Sequence, residues 1–199
     1  MIFFYQFLFL ILTYFIAAIP FGLVLTKIFT GKDIREHGSK NIGATNVARI
    51  AGKKIGFFTL ILDGLKGAIM VIIGRFSFVD ANYLHLFLVL VAVIAVTAHI
   101  YPIYLNYKGG KGVATAIATL FALDFAVGLL VVCFWIMAFC LFRISSVSSL
   151  VAIFSSIILS WSYSAPPEQI IFCWFLFILI VIRHRENISR LLDGKEKRM

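Results

Sequence analysis

Four short stretches of this chain carry residue types suited to handling anions. The first, GKDIREHGSKNIGATNVARIAGKK (31–54), combines Gly38 and Gly43 with the hydrogen-bonding side chains of Ser39, Asn41, Thr45 and Asn46, and adds the planar cation of Arg49. The second, NYKGGKGVAT (106–115), sets Lys108 and Lys111 among Gly109, Gly110 and Gly112, just ahead of an apolar run. Successive glycine amides can form a nest for an anion, and a helix starting near Val113 would aim its positive dipole end at the same place. The third, RISSVSS (143–149), places Ser146 and Ser149 three apart, on one face of a helix. The fourth, RHRENISRLLDGKEKRM (183–199), spaces His184 and Asn187 the same way. Each stretch also has a plainer reading: a positive-inside loop, a flexible turn, an N-cap with a small-residue helix interface, and a polybasic tail at the headgroups. The glycine–lysine stretch is not a Walker loop, because Gly112 follows Lys111 and Leu105 stands where a glycine is required.

The elements that must position these residues are membrane helices. The chain has 199 residues, of which 62% are hydrophobic, and a mean hydropathy of +1.02. A soluble domain is nearer half apolar, so lipid is the solvent for most of this one. The formal net charge is +9, but the basic residues lie in short gaps between apolar runs. That excludes nucleic acid as partner and favours a membrane surface or a phosphorylated substrate. Cys133, Cys140 and Cys173 all fall inside apolar runs without metal-ligand spacing, so no metal site is expected and packing is their role. The apolar N-terminus lacks a basic n-region and a cleavage site, and reads as a retained span.

Apolar runs occupy 3–26, 55–75, 83–105, 113–142, 147–162 and 168–182. The fourth would be about 45 Å long as one helix, against a hydrocarbon core of about 30 Å. Asp124 near its middle is costly at mid-bilayer and marks a turn, which leaves a short helix, 113–122, and a fuller one, 125–142. With seven spans, sixteen of the eighteen Lys and Arg residues fall in alternate gaps and the C-terminal tail. This predicts one all-α integral membrane domain over 1–199, a bundle of about seven helices with the N-terminus outside and the C-terminus cytoplasmic. Five spans, with 147–162 re-entrant and 113–142 continuous, is the alternative. Asp63 and Lys66, spaced i, i+3 inside the second span, read as a structural ion pair or else as support for the site residues. His99, in AHIYP near the cytoplasmic end of the third, reads either as a buried histidine bonded to backbone or as a site residue.

Taken in order, GSKNIGATNVAR, GGKGVAT, RISSVSS and HRENISRLL resemble the bacterial acyl-phosphate:glycerol-3-phosphate acyltransferase family of the PlsY type. DGLKG (63–67) and HIYP (99–102) fit as well, so the resemblance covers essentially the whole chain. One position departs: the family usually has glycine after the motif serine, and Lys40 follows Ser39 here. The resemblance implies transfer of a fatty acyl group from acyl phosphate to the 1-hydroxyl of glycerol 3-phosphate, giving lysophosphatidic acid and phosphate. It also implies a multi-pass protein of the bacterial inner membrane with its site on the cytoplasmic face, and no cofactor.

The residues suit that reaction. An acyl phosphate is a mixed anhydride with a good leaving group, so no covalent nucleophile is required. No G-x-S-x-G elbow and no His-x4-Asp spacing occurs. Two phosphate-bearing substrates need cations and N–H donors, which also meet charge growing in the transition state. Arg49, Lys108 and the Gly109–Gly112 nest are the first candidates, with Lys111, Ser39, Asn41, Gly43, Thr45, Asn46, His99, Ser146 and Ser149 as further contacts. Asn187 would orient a phosphate or the glycerol. The hydroxyl proton goes either to His184 or to a substrate phosphate oxygen, since Arg183 and Arg185 flank the histidine and disfavour its protonation. The rival from another class is a transporter for an organic phosphate, suggested by the intramembrane Asp63–Lys66 pair and a glycine-broken helix. Acyl chain length and oligomeric state have no signature in the sequence.

Overall fold

The computed structural model describes residues 1–198, and every regular element among them is helical. The first departure from expectation is set by Pro20. Residues 3–26 read as a single helix; they lie in one candidate span, Ile2–Thr30, but it is built of two helices, α1 (Ile2–Ala17) and α2 (Phe21–Thr30). A proline has no N–H for the carbonyl four residues back, and its ring crowds that carbonyl. An interrupted helix is tolerated inside a membrane only where other groups satisfy the backbone. Here the Nζ of Lys66 donates to the Ile19 carbonyl at 2.8 Å.

A second departure lies in the stretch expected to be all loop. It contains a 3-10 turn (Ile34–Glu36) and a short helix, α3 (Ala44–Ala51), which runs through Gly52 into α4 (Lys53–Ser77). Then come α5 (Leu84–Ile100), a second 3-10 turn (Ile103–Leu105) and α6 (Val113–Leu123). The remaining helices are α7 (Phe125–Phe142), α8 (Ser145–Ser162), α9 (Pro167–Arg183) and α10 (Arg185–Leu192).

The chain divides into two compact units, Met1–Thr119 and a second beginning at Leu120. In the first, α1 and α4 pack on α5, while α2 and α3 pack on α4. Two glycines set the closest approaches. A Cβ on Gly22 would run into the carbonyl oxygen of Ile42, and one on Gly56 into Ala48. These contacts press the 31–52 segment onto the helices beneath it. Gly64 and Gly67 on α4 lie against Ala118, Thr115 and Thr119 of α6, and Thr115 Oγ1 donates to the Asp63 carbonyl at 2.7 Å.

In the second unit Asp124 ends the apolar run as expected: it is the N-cap of α7, its Oδ1 accepting from the Val127 N–H at 3.1 Å. Helices α7 and α9 both pack on α8. The α8–α9 contact includes Ser160 Oγ 3.3 Å from Cys173 Sγ and the rings of Phe154 and Phe177 with centroids 5.5 Å apart. Among the described residues, five helical stretches are long and apolar enough to span a bilayer, or six if α9 and α10, bent by 61°, are one span. The eleven residues of α6 reach only about 16 Å. Phe57, Phe58, Ile72, Phe125, Leu141 and Ile178 are exposed along these helices, as a surface solvated by lipid requires.

Candidate active site

The first cluster is built around a side chain that binds its own loop. Asn46, buried on α3, accepts the Ser39 N–H at 3.0 Å and donates to the carbonyls of His37 at 3.0 Å and Asn41 at 2.9 Å. Asn41 Oδ1 in turn accepts the Gly43 N–H at 2.8 Å. Gly38, at φ +61°, leaves the room that Asn46 Oδ1 fills. Asn46 was expected to meet substrate; its amide is instead consumed in shaping the loop. A second local brace is Asp33, which caps the first 3-10 turn and grips the Arg35 guanidinium at 2.6 Å. The hydrogen bonds from Arg35, side chain first and then backbone, hold its carboxyl down to about 2.

Braced this way, the loop presents Ser39 and Arg49 outward. Thr45 and Arg49 are four apart on α3 and share one face. Arg49 is exposed on the last turn and forms no ion pair among the described residues.

The second cluster follows α5, where Asn106 and Tyr107 take left-handed backbone angles (φ 49° and 61°) and turn the chain back on the end of the helix. The Gly109 N–H donates to the Ile100 carbonyl at 3.0 Å, and the Gly110 N–H to the His99 carbonyl at 3.2 Å. These two amides were expected in an anion nest; they are spent capping α5, which corrects the Gly109–Gly112 nest. Further on, Gly112 (φ +88°) leads into the first turn of α6, whose N–H groups have no carbonyl four residues back within the helix. Lys108 is exposed at the tip and forms no ion pair among the described residues, while Lys111 is half-buried.

His99 lies behind this loop, not on its open side. It is buried, its Nδ1 stands 3.6 Å from Asp63 Oδ1, and its ring fills the place where a Gly110 Cβ would go. The expected pair of Asp63 and Lys66 is present at 2.9 Å, with both side chains 3% exposed. His99 thus buttresses the lysine loop from behind.

The third cluster belongs to the second unit. Ser146 and Ser149 both lie in the first turns of α8, but their hydroxyls do different work. Ser149 Oγ donates to the Ser145 carbonyl at 2.8 Å and accepts the Trp135 indole N–H at 3.3 Å, so it is a packing residue. Ser146 Oγ donates to Glu196 Oε1 at 2.9 Å. Asn187 Nδ2 donates to the same oxygen, and Arg190 Nε to Oε2 at 2.7 Å. His184 and Asn187 do not share a continuous helix: His184 stands at the 61° bend between α9 and α10, and Asn187 in the first turn beyond it. His184 is 2% exposed, with Nδ1 2.8 Å from the Ile180 carbonyl. A carbonyl only accepts, so Nδ1 carries the hydrogen and Nε2 of the neutral ring has the lone pair.

Residues 7–194 match the sequence profile of a family described as glycerol-3-phosphate acyltransferase. The chain belongs to that family. A glycerol-3-phosphate acyltransferase of Wolbachia pipientis (subspecies Culex pipiens) is 40% identical over 97% of this chain and 98% of its own length. One from Dinoroseobacter shibae is 43% identical over 94% of this chain and 89% of its own. The crystal structure of PlsY, an integral membrane glycerol 3-phosphate acyltransferase, in its glycerol 3-phosphate form matches 98% of this chain and 95% of that one, with a TM-score of 0.91 and 37% identity. Its lysophosphatidic acid form gives 0.88 and 36%.

Glu196 and Arg190 of this acyltransferase were missed from sequence. The tail DGKEKRM reads as unremarkable, and the one available signal was an acid, Glu196, set between two lysines. The cysteines lie where packing puts them, Cys173 buried and Cys133 and Cys140 exposed on α7.

Proposed function

We propose that the protein transfers a fatty acyl group from an acyl phosphate to the 1-hydroxyl of glycerol 3-phosphate, releasing lysophosphatidic acid and inorganic phosphate. The observation that carries the reading is that Arg49 and Lys108 stand exposed on their loops with no carboxylate partner among the described residues, in a family whose acceptor carries a phosphate. Exposed cations that a fold leaves without an internal partner are available to a ligand anion, and a charge-assisted bond to phosphate is among the stronger ones.

In this reading the substrate hydroxyl oxygen attacks the acyl carbonyl carbon. An ester bond forms as the bond from carbonyl carbon to phosphate oxygen breaks. Arg49 and Lys108 neutralise the two phosphates, and the amides at the start of α6 face the charge that grows on the reacting oxygens. Ser39, Thr45, Ser146 and Asn187 supply further hydrogen bonds to phosphate and glycerol. Two acceptors are chemically competent for the hydroxyl proton: Nε2 of His184, left with its lone pair by the Ile180 contact, or a phosphate oxygen of the substrate.

The topology goes with this. We read the broken first span, α4, α5, short α6, α7, α8 and α9 as seven crossings over one functional domain, 1–199. The basic gaps then face the cytoplasm and the N-terminus lies outside, in the bacterial inner membrane. An acyl tail would stay among the helices while its phosphate meets soluble glycerol 3-phosphate. The intramembrane charges that suggest transport have a structural use here, since Lys66 ties down the Ile19 carbonyl and Asp63 backs His99.

The test is an assay with purified protein, acyl phosphate and glycerol 3-phosphate, without carrier protein. Equal amounts of phosphate and lysophosphatidic acid are expected. Acyl transfer only from a carrier or coenzyme thioester overturns the donor assignment. Uptake of glycerol 3-phosphate into vesicles without any acyl product supports the transporter.

A further inference from the structure

The Glu196 carboxylate is held as a ligand would be. Its two oxygens take three donors from two helices: Ser146 Oγ of α8, and Asn187 Nδ2 and Arg190 Nε of α10. Ser146 and Asn187 are buried, at 5% and 7% exposure, and the Glu196 side chain is 10% exposed although it lies in the terminal tail. Its neighbour Lys195 projects into solvent. The chain is built to bring it there. Gly194, at φ +67°, reverses direction after α10, its N–H bonded to the Leu191 carbonyl at 3.1 Å and the Lys195 N–H to the Arg190 carbonyl at 2.7 Å. That is a left-handed C-terminal cap, and it returns the next residue across the face of α10.

We infer that the C-terminal tail carries an internal anion, Glu196, which occupies an oxyanion cradle of Ser146, Asn187 and Arg190 and must leave before a substrate phosphate binds there. The inference rests on the reading of Ser146 and Asn187 as substrate contacts under Proposed function, and it adds Arg190 as the third donor of the same cradle. Two oxygens on one anionic centre are what a phosphate monoester shares with a carboxylate. The one hydroxyl hydrogen of Ser146 is taken by Glu196, and the Asn187 and Arg190 donors that aim at the cradle are directed at the same carboxylate. A second anion drawn into that space would stand within hydrogen-bond distance of the first and be repelled. Tail and substrate are therefore mutually exclusive. An internal competitor lowers apparent affinity by the fraction of molecules in which the cradle is open, and leaves turnover at saturation unchanged.

The experiment uses the full chain with Glu196→Ala and, as an isosteric control, Glu196→Gln. In steady state, Glu196→Ala should lower KM for glycerol 3-phosphate or for acyl phosphate by about threefold or more, with kcat held within about twofold, as removal of an internal competitor requires. Inorganic phosphate, followed by its protection of the purified protein against thermal unfolding, should bind more tightly to Glu196→Ala than to the parent chain. Adding Arg190→Gln to Glu196→Ala should weaken that phosphate binding again. A fall in kcat with KM unchanged makes Glu196 a positioning residue for Asn187 and overturns the inference. Unchanged KM and unchanged phosphate binding in both Glu196 variants overturn it too. Phosphate binding needs no turnover: tighter binding in a chain without acyltransferase activity would retain the tail and remove the proposed reaction.

Discussion

The imidazole of His99 occupies the position that a side chain on Gly110 would need. Its ring cannot swing aside freely, because Nδ1 faces the Asp63 carboxylate at 3.6 Å and Asp63 is fixed by Lys66 at 2.9 Å. Gly110→Ala should therefore push the loop carrying Lys108 off the end of α5 and cut kcat/KM by about tenfold or more, since small misplacements of catalytic groups are costly. Combining it with His99→Ala should cost less than the two single losses together, because the clash disappears. A double-mutant cycle on kcat/KM measures this coupling.

Arg49 has no carboxylate partner among the described residues, so its removal orphans none of them and reports on the ligand. Arg49→Ala should reduce kcat/KM by well over tenfold, as a charge-assisted bond worth roughly 1.5–3 kcal/mol implies. Arg49→Lys should recover only part of it, since an ammonium keeps the charge and loses the planar fork. Steady-state kinetics on detergent-solubilised protein measure both.

His184→Gln keeps a polar side chain at the bend but removes a basic ring nitrogen. If Nε2 takes the hydroxyl proton, kcat should fall by about a hundredfold or more, the usual scale of general-base catalysis. If the substrate phosphate takes it, the loss should stay within a few-fold and fall mainly on KM. The split between kcat and KM decides between them.

Lys40 has a left-handed backbone, φ 57°, at the position where the family usually has glycine. A residue with a Cβ pays roughly 1–2 kcal/mol to sit there. Lys40→Gly should raise the thermal midpoint of the purified protein, by an amount equivalent to about 1 kcal/mol or less once the greater freedom of unfolded glycine is counted. The Lys40 N–H bond to the His37 carbonyl is retained.

The Glu196 contact gives a pH dependence with a definite sign. Partial burial works to raise its carboxyl, but the hydrogen bonds from Asn187, Arg190 and Ser146 and the charge of Arg190 outweigh it and hold the docked group below its ordinary value. The docked tail is therefore favoured at every pH above the free carboxyl value, about 4.3, and is released as pH falls through the lower, docked one. Limited proteolysis after Lys195 with an enzyme active across this range should be slow at neutral pH and accelerate only in acid. Glu196→Ala should remove that pH dependence.

How far the sequence revealed this molecule depended on the kind of interaction. Runs of apolar residues announce spans, and a carboxylate in mid-run announces a turn, so Asp124 and the short α6 could be located from one-dimensional pattern. The Asp63–Lys66 pair was likewise legible because its spacing matches the helix. Contacts between distant residues leave no such trace. The bond from Lys66 to Ile19 spans 47 positions, and that from Ser146 to Glu196 spans 50. Nor does a polar residue declare what it binds. Asn46 and the Gly109 and Gly110 amides have the chemistry of ligand contacts, yet all three close on backbone carbonyls of their own segments. Pro20 was a visible signal; the apolar run around it concealed that the helix breaks there.

That break also bears on biogenesis. A hydrophobic segment interrupted at Pro20 is a poorer guest for hydrocarbon while it is alone, because the Ile19 carbonyl at its kink then has only the neighbouring Phe21 N–H, at 3.2 Å, as donor. The ammonium that caps it arrives with the following segment, already neutralised by a carboxylate one turn away. The two segments are thus chemically incomplete apart and compatible with lipid together, which makes the pair, joined by its polar loop, the natural unit of insertion at the translocon.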